Sequence, residues 1–477
     1  MPVSDVRLTL PDGDQPAFLR IAEAIVAEIR RGRLQPGQRL PGTRALAVQL
    51  GVHRNTVTAA VRELRAQGWV RVHPRGRTEV ASLPAAPVPA PRVPPAAPPF
   101  RVAPVAWPDL QPQWPPGTLV LAGGRPDLRQ LPVDELGRAW RAAVRHSRGR
   151  ILDYGAPEGH PRLRAAIAAL LGRERGLTVG PDEVFVTRGS QQALYLVARA
   201  LIRPGDRVAV ERLGYPPAWA AWRAAGAELV PVDVDGEGMR VDRLEGVPGL
   251  RAVYCTPHHQ YPTMVTLPAA RRLALAALAR ERGFAVVEDD YDNEFHYRGR
   301  PVLPLAAHDV DGAVVYVGTF SKTLAPGLRL GFLVAHRDVI RAVAALRLAV
   351  DRQGDAATEL AVATLVEDGT VGRHLRRMRR LYASRQALVA DRLAAGLGER
   401  IAFEVPAGGL ALWVRTTVEP EAWQLAAARH GVGFDVARRY HLDGTGLPYV
   451  RIGFASLDED ELVRAVDGLV ASHPGLR

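Results

Sequence analysis

Tyr316-Val-Gly-Thr-Phe-Ser-Lys-Thr-Leu-Ala-Pro-Gly-Leu-Arg-Leu-Gly-Phe332 contains the only lysine of the chain, Lys322; the other 61 of the 62 Lys+Arg residues are arginine. A guanidinium stays protonated at every accessible pH, whereas a lysine ammonium can lose its proton and act as a Schiff-base amine. A lysine kept against so strong a bias points to amine chemistry at Lys322. Its neighbours Thr319, Ser321 and Arg329 add hydroxyl and guanidinium groups, a cluster suited to a phosphate and an aldehyde.

Outward from this stretch, short apolar runs alternate with helical segments. Val184–Thr187, Arg207–Glu211, Ala252–Cys255, Ala285–Glu288 and Val314–Val317 read as strands, and Gln191–Leu201 and Pro268–Arg282 as helices. The alternation predicts an α/β body over residues 120–477 with a mainly parallel sheet covered by helices. Ligands in such sheets gather at the carboxyl ends of the strands. Thr187-Arg-Gly-Ser-Gln-Gln192 leaves a strand and opens a helix, whose free amides can hold a phosphate. Tyr215 ends the next strand and is either a ring-stacking residue or an ordinary half-buried aromatic. Val287-Glu-Asp-Asp-Tyr-Asp-Asn293 puts several acids and Tyr291 at a strand end, and at least one acid must face a cation or a donor. A Schiff-base lysine, an acid for a pyridinium nitrogen and a phosphate cup are together the parts of a pyridoxal 5'-phosphate site. No metal-ligand set is assigned.

At the other end, residues 1–80 carry 13 arginines against 7 acids, half of the net charge of +12. Such a concentration suits a polyanion. Ala17–Arg31 has helical periodicity through Phe18, Ile21, Ile25 and Ile29, and Gly32 ends it. Thr43 can cap a second helix, Arg44–Gln49. A turn at Leu50-Gly-Val52 leads to a third, from about His53 to Ala66, with Val57, Val61 and Leu64 inward. Trp69–Val72 and Thr78–Val80 flank Pro74-Arg-Gly-Arg77 as a basic hairpin. This is a winged helix-turn-helix. His53, Arg54, Asn55 and Thr56 would face base edges or phosphates of double-stranded DNA, Arg44 the backbone, and Arg75 and Arg77 the wing contacts. Between head and body, residues 81–119 hold 13 of the 39 prolines and read as a semi-rigid, extended linker.

The single Cys255, a small side chain at a strand end, fits a reducing cytoplasm. No apolar run of membrane-spanning length is present, and the start, with Asp5 and Arg7, does not read as a secretory signal.

Residues 16–80, with Leu34-Gln-Pro-Gly-Gln-Arg-Leu-Pro-Gly-Thr-Arg44 and the run through Val57, resemble the GntR family of bacterial DNA-binding domains, although Gly42 and His53 stand where serine is usual. The Ser-Lys…Pro-Gly-Leu-Arg block resembles the fold-type I aminotransferases, with a large domain and a small C-terminal α/β domain. That resemblance implies an internal aldimine on Lys322, Asp289 at the ring nitrogen, Tyr291 at the phenolic oxygen and Tyr215 stacked on the ring. It implies Ser190, Gln191, Thr319 and Arg329 at the phosphate, with Tyr154 reaching the phosphate of a neighbouring subunit. It also implies Arg451 as a bidentate grip on a substrate carboxylate; by the residues alone Arg451 reads as a surface strand arginine. Tyr261-Pro-Thr-Met264 replaces the usual Asn-Pro-Thr-Gly, so Tyr261 stands where an asparagine meets the phenolic oxygen. Head, linker and body together resemble the MocR-type regulators, typified by the GABA-responsive one, as do His259-Gln-Tyr-Pro-Thr263 and Glu288-Asp-Asp-Tyr-Asp-Asn-Glu-Phe295. Ala411 departs from the histidine common there. This resemblance implies a head-to-tail, domain-swapped homodimer. It also implies a transcriptional regulator that senses an amino compound, or the cofactor itself, at Lys322. The alternative is an amino-acid aminotransferase with an accessory DNA-binding head.

Overall fold

The computed structural model describes residues 8–10, 15–74, 77–82, 101, 114–309 and 311–476. The chain divides into two compact units, residues 1–104 and 105–477.

In the first unit, helices Ala17–Arg30, Thr43–Leu50 and Arg54–Ala66 precede an antiparallel pair, Val70–Val72 with Thr78–Val80. Ile21 and Ile25, one helical turn apart, pack with Leu46, Val57, Leu64, Val70 and Val80 in one apolar core. Thr43 is not the cap expected of it. Gly42 takes the cap position with extended backbone and Thr43 is already helical, without a side-chain cap bond. Gly51 ends the second helix at φ +65°, the left-handed conformation the tight turn needs. Most of the proline-rich segment, residues 83–100 and 102–113, lies outside the described residues.

The second unit is built on a seven-stranded sheet in the order Val184–Thr187, Gly331–Val334, Val314–Thr319, Ala285–Asp290, Leu250–Cys255, Arg207–Glu211, Glu228–Val232. All pairings are parallel except those of Gly331–Val334, which runs antiparallel to both neighbours. It follows Val314–Thr319 after a short connection with no crossover helix, so it can only return antiparallel. That connection is the Lys322 stretch, and it therefore lies across the carboxyl edge of Val314–Thr319.

A second sheet, in the order Ile401–Ala402, Ala411–Thr416, Tyr449–Gly453, Asp435–Val436, is antiparallel and packs with helices Pro420–Arg429 and Glu459–Ser472. The start of the body is tied to it. Leu119–Val120 pairs in parallel with Val432–Gly433, and Gly453 N donates to Leu121 O at 2.8 Å. This pairing delivers Gly123, Gly124 and Arg125 to the lysine. Among the described residues no helix is long and apolar enough to cross a membrane.

Candidate functional site

On the head, the third helix begins at Arg54 with His53 as its cap, and His53 Nδ1 accepts from Asn55 N at 3.3 Å. His53 therefore spends one ring nitrogen on the helix end, a role the sequence reading did not give it. Arg44, Arg54 and Asn55 are exposed around this terminus and Thr56 is half-buried. Arg54 Nε donates to Thr43 Oγ1 at 3.4 Å, which links the two helices of the motif. At the base of the hairpin, Glu79 takes His73 at 2.9 Å and Arg39 at 3.4 Å. Arg77 is exposed; Arg75 lies outside the described residues.

In the body, a cavity of about 680 Å³ is lined by Lys322, Asp289, Tyr291, Tyr215, Tyr261, Ser190, Gln191, Thr319 and Arg329. They come from strand ends, the start of helix Ser190–Leu201, and the connections at the same edge of the sheet. Lys322 is half-buried, and burial together with the Arg451 guanidinium lowers its amine to about 8. Asp289, next to last in its strand, is buried and raised to about 6 by that burial. Tyr254 OH donates to its Oδ2 at 2.8 Å, and its Oδ1 has no hydrogen bond. Successive strand residues face opposite sides. Asp290 accordingly bonds Tyr316 OH at 2.6 Å, where burial raises it to about 7.

The anion end of the cavity is the start of helix Ser190–Leu201. Its cap, Gly189, has φ +78°, and a Cβ there would lie 2.9 Å from Arg329 Nη2. Arg329 itself sits in the left-handed region at φ +47° and donates to Arg188 O at 3.0 Å. Thr319 Oγ1 accepts from Ser321 N at 3.1 Å.

Tyr261 stands at the centre of an aromatic cluster, edge-on to Tyr215, Tyr291 and Tyr440. Its backbone N donates to Thr256 Oγ1 at 2.9 Å, and that hydroxyl donates to Glu211 at 2.7 Å. Burial raises Glu211 to about 8.

Two expected site residues lie apart from the cavity wall. Arg451 is fully buried on Tyr449–Gly453, not a surface strand arginine, with its guanidinium 4.6 Å from the Tyr261 ring centroid. Among the described residues Nε and Nη1 have no hydrogen bond, and Nη2 meets only Met264 Sδ at 3.8 Å. A Cβ at Gly123 would fall inside this guanidinium. Met264, at φ +67°, occupies a left-handed position suited to the glycine usual there, and the bare Gly409 makes room for its methyl. Tyr154 is 74% exposed under Arg352 and borders a separate cleft within this chain.

Sequence reading missed Tyr254, Thr256 and Gly123–Arg125. Tyr254 had a usable signal: it pairs with Val287, two residues before Asp289 on the same face. Nothing local marks Gly123–Arg125, which arrive through the pairing with Val432–Gly433.

The residues present fit pyridoxal phosphate. Asp289 Oδ1 is a buried acceptor without a donor, as a pyridinium N–H requires. The bare Gly189 leaves a cradle between the helix start and Arg329. Gly124 leaves Lys322 Nζ uncrowded, since a Cβ there would lie 3.4 Å away.

Comparison with known proteins agrees in both units. The family described as aminotransferase class I and II matches residues 119–469, and the bacterial regulatory proteins of the gntR family match residues 18–80. The chain is 33% identical over 463 residues to the probable rhizopine catabolism regulatory protein MocR of Rhizobium meliloti, covering 96% of this chain and 94% of that one. It is 32% identical over 444 residues to the pyridoxine biosynthesis transcriptional regulator PdxR of Corynebacterium glutamicum, covering 93% of each. Among solved structures, the α-aminoadipate aminotransferase LysN of Thermus thermophilus, complexed with N-(5'-phosphopyridoxyl)-L-leucine, superposes with a TM-score of 0.70 at 30% identity. It covers 76% of this chain and 93% of its own.

Proposed function

Since this chain belongs to the MocR-type GntR regulators, a DNA-binding head joined to an aminotransferase class I and II body that takes pyridoxal phosphate, we propose that the Lys322 cavity is its sensing site. The effector in this reading is an amino compound carrying a carboxylate.

The observation that carries the reading is Arg451. A fully buried guanidinium without an oxygen partner costs several kcal/mol. Its stacking on Tyr261 returns only about 0.5–2 kcal/mol. A carboxylate ligand would supply the missing acceptors by a two-point fork. For that, Met264 must swing off Nη2, and an unbranched thioether can do so at little cost.

The bound cofactor supplies an aldehyde carbon that amines capture reversibly. Lys322, lowered to about 8, is neutral in roughly a tenth of molecules at pH 7, against well under a hundredth for an ordinary lysine. Its Nζ can therefore hold or release a proton near neutral pH. Asp289 Oδ1 accepts the ring N–H, and Tyr254 holds the carboxylate in place. Tyr291 would meet the phenolic oxygen, Tyr215 would cover the ring, and Tyr261 would take the position of the usual asparagine. Ser190, Gln191, Thr319 and Arg329 bind the phosphate. Tyr154, exposed within its own chain, serves the phosphate of a partner subunit in a head-to-tail dimer.

An effector that set its carboxylate on Arg451 and its amine beside Lys322 Nζ would favour one arrangement of the body over another. A ligand shifts such an equilibrium only by its unequal affinity for the two states. The head reads DNA with Arg54, Asn55 and Thr56, while Arg44 and the wing arginines Arg75 and Arg77 hold the backbone.

The test is a spectral screen of amino compounds against the yellow full-length protein, with operator binding followed in parallel. An ω-amino or α-amino carboxylate should shift the band and change DNA affinity. Sustained keto-acid production with no specific DNA site would overturn the reading in favour of an aminotransferase.

A further inference from the structure

Away from the Lys322 cavity, the fold gathers three histidines that the sequence reading left without a metal-binding role. His258 and His259 follow strand Leu250–Cys255, and His296 follows Ala285–Asp290. One ring nitrogen from each lies within 4.8 Å of the others. His258 and His259 are 3% and 2% exposed. Among the described residues neither nitrogen of His258 finds a hydrogen bond, nor does His259 Nε2 or His296 Nδ1. Buried polar atoms are normally satisfied, so four such nitrogens at one place call for a missing partner. None of the three rings lines the Lys322 cavity.

His259 Nδ1 lies 2.7 Å from Asp292 Oδ1. The carboxylate holds the proton on Nδ1 and leaves the Nε2 lone pair free. A carboxylate behind a histidine is the arrangement that orients metal ligands and raises their basicity. Gly408 keeps space at that lone pair, because a Cβ there would lie 2.7 Å from Nε2. His296 is half-buried and gives the site a side open to solvent.

We propose that His258, His259 and His296 bind a divalent first-row transition ion of the Zn²⁺ class, with Asp292 orienting His259. An all-imidazole set suits Zn²⁺, Cu²⁺ or Ni²⁺ and not Mg²⁺ or Ca²⁺, which want oxygen. Three protein ligands leave a coordination position for water or a small ligand. Zinc–nitrogen bonds of about 2.0–2.1 Å require the rings to draw together, a movement the half-buried His296 can make by side-chain rotation. Burial and the Arg272 and Arg175 guanidinium groups keep His258 uncharged, the form that ligates, and Asp292 is the carboxylate in contact with the cluster, through His259.

The test uses full-length protein stripped with a chelator and titrated with Zn²⁺ calorimetrically and with Co²⁺ by visible spectroscopy. Expected are one ion per chain and a Co²⁺ d–d band to the red of the cofactor band. His258→Asn and His296→Asn should each weaken binding at least tenfold, and Asp292→Asn by about 10–100-fold. The exposed His430→Asn should leave it unchanged. Circular dichroism checks that the variants fold; if they do not, the wild-type Co²⁺ band decides, and its absence overturns the proposal. So does the absence of stoichiometric Zn²⁺ binding, or binding indifferent to the folded His258 and His296 variants, which would leave a hydrogen-bonded histidine cluster.

Discussion

Arginine does opposite work in the two units. On the head, Arg44, Arg54 and Arg77 are exposed around a helix start and a hairpin. In the body, Arg272, Arg347, Arg385 and Arg451 are all buried. Arg272 donates to the carbonyls of Leu267, Leu303 and Pro257. Arg347 holds Pro157 O and Asp351, and Arg385 holds Ala455 O and Asp127. Among the described residues Arg451 has no oxygen partner, only a thioether and a ring. An exposed field of guanidinium groups meets a polyanion by its charge and its salt sensitivity. A single buried guanidinium lacking an oxygen meets one anion by geometry. The same residue type thus marks a reading surface in one unit and a sensing point in the other.

The largest effect that could break this contrast lies at the lysine itself. Lys322→Ala should abolish the visible band of the purified protein while leaving salt-dependent DNA affinity intact. An unchanged spectrum would remove Lys322 from the cofactor site. Next, Arg451→Ala should weaken effector binding by about 2–5 kcal/mol in a spectral titration, as expected when one partner of a buried charged pair is truncated. Arg451→Lys should not restore it, because an ammonium cannot form the fork. Gly123→Ala should act in the same direction by displacing the guanidinium, without touching the ligand.

On the head the expected effects are smaller and of two kinds. If Arg54 reads a base, Arg54→Ala costs about 1–3 kcal/mol and relaxes specificity at one operator position. If Arg44 holds a phosphate, Arg44→Ala weakens binding evenly across sequences and lowers the salt slope by about 1. Footprinting over a salt series separates the two outcomes.

The finest contrast is between two acids. Hydrogen bonding from Arg33, with Arg31 beside it, holds Glu28 of the head below its usual value of 4.5. Its contribution to stability is present above that value and fades as pH falls. Burial raises Glu211 of the body to about 8. Its contribution is full below 4.5 and is lost as pH rises through about 8. Relative to wild type, Glu211→Gln should therefore gain stability between pH 4.5 and 8, and Glu28→Gln should lose less on acidification. Parallel pH profiles of wild type and variant would contradict either assignment.

What could be read in advance followed from locality. Val184–Thr187 and Arg207–Glu211 are found at the expected residues because their apolar runs are short and sharply bounded. Lys322 stands out as the one lysine of the chain, just past a strand end, whereas the acids of Val287–Asn293 mark a site without choosing among themselves, and the family resemblance alone singles out Asp289. Thr43 misled because a capping residue type is not a capping conformation: Gly42 holds the cap position and the helix already includes Thr43. The antiparallel Gly331–Val334 carries no local mark of direction; the short connection sets it. The surroundings of Arg451 depend on Gly123, Met264 and Gly409, brought together by long-range pairing, and no periodicity announces that. The three histidines were equally silent, since His296 joins the other two only when strands Leu250–Cys255 and Ala285–Asp290 pair.

The measurement that bears most directly on the account follows operator binding and the cofactor band in the same sample of full-length protein as a carboxylate-bearing amine is added. Both signals should change with a common midpoint, Lys322→Ala should abolish both responses, and Arg451→Ala should move both midpoints upward together. A band that shifts and turns over to keto acid while DNA affinity stays constant, or DNA affinity that responds without any change in the band, would contradict it.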